Sequence, residues 1–170
     1  HYPLRRQRQM CIRDSLWADW WGFKHEAYDM VQANIAIVDQ ARNGTGCAIV
    51  HSDDERGIQR LNQEAAKAWS AGNRAGYNIS KARAINWITS NPAKAAGIYD
   101  RTGSIVAGKD ADLVLWSKNP FSVYALAEKV YIDGGLAFDR EAGFYPVSDF
   151  DLGIILSLIH ISEPTRPLYI

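Results

Sequence analysis

Residues Cys47 to Val50 carry no polar side chain except a thiol. They are closed in front by "RNGTG" and behind by "HSDD". A short apolar run between turn signals fits a strand buried on both faces, and such strands belong to parallel sheets covered by helices. The flanks carry the helical period that this requires. Upstream, Ala27, Val31, Ile35 and Val38 predict one amphipathic helix, which "RNGTG" stops. Downstream, Ile58, Leu61, Ala65, Ala68 and Trp69 predict a second, with Gly72 and Gly76 expected to end it. "ISKARAINWITSNPAKAAGI" predicts a third, with Ser80 at its N-cap. Asn91-Pro92 is expected to break it and open a short final helix, since proline is tolerated in a first turn. From residue 101 the period becomes extended. Leu113 to Trp116 predicts a strand, and "KVYIDGGLAFDR" a hairpin turning at Gly134-Gly135. The order is α/β first and a small β unit last.

The two ends read differently from the middle. "RRQRQMCIRDS" is similar to a translated transposase-type sequencing adaptor, with Met10 to Ser15 as its last codons. "LSLIHISEPTR", Leu156 to Arg166, is similar to its reverse complement followed by a second arm. Residues 1–15 and 156–170 are therefore expected to be adaptor-derived tails and are set aside for fold reasoning. What stays is Leu16 to Ile155, about 140 residues, near one domain's usual size. It shows no start or stop of its own and is expected to be a piece of a longer protein.

Five of the nineteen basic and two of the nineteen acidic residues lie in the tails, leaving 14 against 17. A slightly acidic balance argues against a nucleic-acid partner. No apolar run approaches the ~18 residues of a membrane span, so no membrane partner is expected. Cys47 is the single cysteine outside the tails, which rules out a disulfide or a CxxC metal pair there; in an apolar run it reads as a small buried hydrophobe. The compartment is not legible.

In parallel α/β sheets, sites form at the C-terminal ends of strands. His51, Ser52, Asp53 and Asp54 stand at such an end. A carboxylate there can bind a metal or accept a proton from a bound water. It serves equally to cap a helix starting near Arg56. His51 fits either a pocket wall or a satisfied rim histidine. Upstream, in "DWWGFKHE", Trp20, Trp21 and Lys24 can contact a substrate by stacking or by charge, or can pack as an aromatic cluster over a rim.

Three stretches together, "AIVHSDDERGIQRLNQEAAKAW", "AINWITSNPAKAAGI" and "TGSIVAGKDADLVLWSKNPFSVYALAEKVYIDGGLAFDR", resemble the C-terminal part of metal-dependent amidohydrolases, in particular the imidazolonepropionase-like branch. The resemblance implies that residues 16–100 are the last strand and helices of a (β/α)8 TIM-like barrel. It implies that residues 101–155 are strands of a small β-sandwich. It implies a parent enzyme that hydrolyses a non-peptide C–N bond, in a cyclic amide or amidine, of a small-molecule substrate by metal-activated water. Asp53 matches the family aspartate after the last barrel strand, which binds or faces the metal and takes the proton from the attacking water. A carboxylate suits that role because it is a weak enough base to return the proton. His51, Trp21 and Lys24 are the accompanying substrate-binding candidates, and Asp54 fits a cap.

The remaining family ligands, an HxH pair, a bridging lysine or glutamate and two later histidines, have no counterpart in residues 16–155, where the histidines are His25 and His51. Zinc takes three or four protein ligands. The divalent metal, zinc by resemblance, is therefore expected in the full-length parent and not on this piece alone, which is expected to be inactive. Homo-oligomerisation of the parent stays open. The alternative is a non-catalytic barrel relative that binds a ligand or serves as an assembly subunit; an upstream HxH pair would decide for the enzyme. Reads of the source locus across both junctions should replace residues 1–15 and 156–170 with unrelated coding sequence, and seamless continuation of the same tails would overturn the adaptor reading.

Overall fold

A computed structural model describes residues 15–18, 25, 28–52 and 57–142 of the 170-residue chain. The apolar run forms strand β2, Ile49–Val50, with Cys47 and Ala48 buried in front of it. It pairs in parallel with β1, Ser15–Leu16, in the register Ser15 to Ile49 and Leu16 to Val50. Ser15, assigned above to a tail, thus forms the first rung of this ladder. Helix α1, Asn34–Gly44, lies between the two strands in sequence, and a parallel pair needs such a crossover.

α1 starts later than the spacing predicts. Val31 precedes it and is exposed, and Ala27 lies outside the described residues. Asn34 explains the later start. Its side-chain oxygen accepts from the Ile35 amide at 2.7 Å, and its amide nitrogen donates to the Trp17 carbonyl at 2.9 Å, tying the helix start to the segment after β1. "RNGTG" does stop the helix. Ala41 leaves helical geometry, and Arg42 and Asn43 take positive φ at 53° and 60°.

After β2, a 3-10 turn, Ile58–Arg60, leads into α2, Leu61–Arg74. Gly57 occupies the cap position and no side chain caps the turn. Ala65 and Ala68 are fully buried, as the spacing predicts, but Ile58 is exposed. Gly72 does not end α2. It sits within the helix at its contact with α1, where a Cβ would lie 2.5 Å from Cβ of Ala36. Small residues there let two helices approach closely, and the helix ends two residues later, before Gly76 at φ +90°.

Ser80 caps α3, Lys81–Ala84, by accepting from the Arg83 amide at 3.1 Å. A 3-10 turn, Ile85–Ile88, follows, then α4, Ser90–Ala96. The break falls at Thr89, with φ −128° and ψ −87°, and Asn91-Pro92 lies inside the first turn of α4. Proline's missing donor is harmless there, so it initiates and does not interrupt.

The C-terminal part is a three-stranded antiparallel sheet in the order β3, Leu113–Trp116, β4, Ala127–Ile132, and β5, Gly135–Asp139. Val114, Val130 and Phe138 are aligned across it. The hairpin turns at Asp133-Gly134, φ 50° and 80°, and not at Gly134-Gly135; Gly135 already pairs with Ile132. Two successive positive φ values make an Asp-Gly turn whose twist matches the strands. Asp112 braces it, accepting from the Asp133 amide at 3.1 Å and from the Thr102 hydroxyl at 2.7 Å. Those two bonds hold its carboxyl below the usual carboxylate value. Lys129 and Asp139 pair across β4 and β5 at 3.1 Å, which raises the lysine and lowers the aspartate. The whole is mixed α/β with partial sheets.

Ile35, Ala36, Ala48, Val50, Ala65, Ala68 and Trp87 share one core, with Phe121 packed against it from the C-terminal part. Within that core lies a charge. Asp39 is fully buried and accepts from the Trp87 indole at 2.8 Å and from Arg83 Nε at 3.0 Å. Arg83 then reaches the carbonyls of Gly44, at 2.6 Å, and Gly46, at 3.3 Å. Asn91 adds a bond to the Ala48 carbonyl at 2.7 Å. The segment after β2 therefore clamps the chain leading into it. Removing one partner of a buried pair strands the other, so Asp39→Ala should cost about 3 kcal/mol, the low end of the usual range because Arg83 keeps some solvent. Trp87→Phe should cost at least the ~1 kcal/mol of a buried hydrogen bond left unmade. Chemical denaturation of each variant measures this, and unchanged midpoints would remove the clamp from the account of stability.

Candidate functional site

The end of β2 is fixed by backbone bonding. The His51 amide donates to the Leu16 carbonyl at 3.2 Å, extending the parallel ladder one step past the strand. His51 is thereby carried beyond the C-terminal edge of the pair, half-buried, beside the segment that follows β1. The register makes this unavoidable. With Leu16 opposite Val50, the next residues on the two strands, Trp17 and His51, become neighbours. Their rings meet edge to face at 5.5 Å and 89°. The imidazole Nδ1 is hydrogen-bonded to the Ser15 hydroxyl. With one ring nitrogen engaged and one ring edge packed, His51 has a defined orientation, and Nε2 is the nitrogen left for a ligand or proton.

Of the residues singled out in the sequence, His51 and Ser52 are the described ones at this edge, both half-buried. Asp53, Asp54, Trp20, Trp21 and Lys24 lie outside the described residues. The cap expected from Asp53 or Asp54 lies outside the described residues; what is described is a turn that begins at Ile58 with Gly57 in the cap position. His25 is exposed and its carbonyl accepts from the Tyr28 amide at 3.4 Å, away from any pairing with His51. Ser15 and Trp17 are the residues that sequence reasoning missed. The signal that finds them is the parallel register, which local patterning does not give.

The described residues do not fit a divalent cation by themselves. Among them no three His, Cys, Asp or Glu side chains come together. One imidazole whose second nitrogen is hydrogen-bonded is a fragment of a ligand set, where zinc needs three or four donors. Among the described residues no helix is long and apolar enough to cross a membrane.

Residues 55–137 match the Amidohydrolase family. The chain is 32% identical over 126 residues to the amidohydrolase tasK of Hapsidospora irregularis, covering 74% of this chain and 12% of that protein. It is 24% identical over 131 residues to the urease alpha subunit of Haloquadratum walsbyi, covering 69% of this chain and 22% of that protein. The crystal structure of an amidohydrolase from Thermotoga maritima superposes with a TM-score of 0.57 at 35% identity, over 69% of this chain and 28% of that one. The chain therefore spans about an eighth to a fifth of the length of these two curated relatives.

The orientation of His51 is testable in the chain as it stands. Ser15→Ala should shift the His51 imidazole nitrogen resonances and broaden its ring signals, while those of His25 stay put. Nitrogen-15 NMR of both proteins reads the outcome, and an unmoved His51 would mean that the hydroxyl does not hold the ring.

Proposed function

We propose that this chain, whose residues 55–137 match the Amidohydrolase family, is part of a hydrolase acting on a non-peptide C–N bond, in a small cyclic amide or amidine. The observation that carries the reading is the joint match in sequence and shape to the amidohydrolase from Thermotoga maritima, 35% identical with a TM-score of 0.57. Several features of the chain support it. β1, α1 and β2 are one parallel β-α-β unit, and α2 packs back on α1, the repeat from which a (β/α)8 barrel is built. In this reading residues 16–100 supply the last strand and helices of that barrel. Residues 101–155 supply strands of a small β-sandwich, and residues 1–15 and 156–170 belong to neither. The imidazolonepropionase-like branch is the finer assignment, taken from the "NPFSVYALAEKVYIDG" ending.

Asp53 follows His51 by two residues in the sequence, and in this reading it belongs to the C-terminal end of a barrel strand, where ligands sit in such barrels. It takes the proton from the attacking water and returns it to the leaving nitrogen, a general acid–base role open to a carboxylate. His51, packed against Trp17, lines the same mouth and donates or accepts through Nε2. Trp21 and Lys24 complete the substrate contacts. Asp53 would be one ligand of a divalent metal, zinc by family, and the others would come from the parent; among the described residues no three His, Cys, Asp or Glu side chains come together to complete a set.

In the full-length parent, Asp53→Asn should lower kcat by about 10²–10⁴ with the fold retained, the usual worth of a general acid–base group. The 170-residue chain alone should hydrolyse none of the parent's substrate and should show no stoichiometric zinc site of submicromolar affinity. Steady-state kinetics and calorimetric titration measure these. A parent that keeps its rate with Asn at 53, or a chain that binds zinc tightly by itself, would sink the assignment.

A further inference from the structure

At the opposite end of β2 from His51 lies a cavity of about 340 Å³. Gly46 and Cys47, which lead into the strand, form its floor; Arg83, Asn86, Ser90, Lys94 and Tyr99 form its walls. Among the described residues no carboxylate lines it. The Asp39 carboxylate that offsets Arg83 is fully buried behind the guanidinium and is unavailable to a ligand. Arg83 spends Nε and Nη2 on Asp39 and on backbone carbonyls, which leaves Nη1 without a partner among the described residues. That fixed fork presents its outer edge in a set direction, at no further cost in side-chain order. Lys94 has no acidic partner among the described residues; its ammonium lies 4.7 Å from the centre of the Tyr99 ring. A second ammonium, Lys109, sits 3.6 Å from the same ring and is anchored on the Tyr99 carbonyl. The Tyr99 phenol is pulled below its ordinary value, first by the neighbouring Ser104 side chain and then by the Lys109 charge.

We propose that this cavity is a binding site for the phosphoryl group of a small molecule. Arg83 Nη1 and the Lys94 ammonium supply the charge; in the same walls the Ser90 hydroxyl donates to the Asn86 side-chain oxygen at 2.8 Å and the Asn86 amide to the Ala82 carbonyl at 3.2 Å, so these two would reach an anion only by exchanging those bonds. A tetrahedral oxyanion suits such a site because it accepts from several directions at once, and charge-assisted bonds from Arg and Lys are the strong ones. The site is separate from the His51 edge and does not depend on the hydrolase assignment. It touches β2 through Gly46 and Cys47, so occupancy would brace the strand that carries His51 from its other end.

The test is a titration of the 170-residue chain with inorganic phosphate at constant ionic strength, followed by NMR of the Lys94 side chain and the Asn86 and Ser90 amides. Acetate serves as the parallel arm. Saturable shifts at these groups are expected, with a dissociation constant on the order of 1 mM and weaker response to acetate. Lys94→Gln, an exposed position, should weaken phosphate at least fivefold while leaving the melting curve in place. Lys118→Gln, exposed and not lining the cavity, should leave phosphate binding unchanged. Shifts that grow linearly without saturation, equal response to acetate, or full binding in the Lys94→Gln chain would each overturn the proposal.

Discussion

Asp39, a carboxylate buried among helices, organises the described residues that precede the C-terminal sheet. Taking an ion out of water costs several kcal/mol unless its lone pairs are met. Asp39 meets that requirement with donors from Gln40, Arg83 and Trp87. Two of these come from the segment after β2, 44 and 48 residues away in sequence. The need to satisfy one acid therefore draws α3 and the following turn under the sheet. Arg83, once there, uses its remaining hydrogens to fix the loop entering β2. The position of the strand, and so of His51 at its far end, follows from that arrangement.

The packing around the carboxylate is built from small side chains. Ala36, Ala48, Ala65, Ala68 and Ala84 are all fully buried, and Gly72 lies against Ala36. Helices whose contact faces carry little more than a methyl group approach closely, leaving room for one large plug, Trp87. The C-terminal sheet joins this body through few points. Asn62 donates to the Pro120 carbonyl at 2.7 Å, and Phe121 stacks near Trp69 at 6.2 Å. Val114, Leu115, Ile132 and Leu136 on its strands stay exposed. A sheet of three strands with apolar side chains in water is consistent with the chain covering only a fraction of the length of its relatives.

Most elements were legible from the sequence, for identifiable reasons. The run at Cys47 to Val50, the stripe through Ala65 and Ala68, the Ser80 cap and the strand at Leu113 to Trp116 are signalled by period or by a single capping residue. The misreadings share a cause. Gly72 looks like a helix end but serves a close approach. Gly134-Gly135 looks like the turn, but Asp133 tolerates positive φ and the register places the turn one residue earlier. Val31 fits the helical period yet precedes the helix, since Asn34 begins it by bonding to the Trp17 carbonyl. In each case a partner distant in sequence decided what a local rule left open.

By itself the sequence determined the class of the chain, the order of its elements and the family signature. Local propensity, period and motif spacing act over a few residues and survive without any partner. Tertiary structure alone decided that Ser15 and Trp17 flank His51, that Asp39 is an interior charge and that Arg83 and Lys94 share a cavity. Each depends on the register of one parallel pair, or on a contact spanning some forty residues, as between Asp39 and Arg83. Such pairings are fixed by which buried polar groups must be satisfied together, and that is a property of the assembled interior, not of any segment.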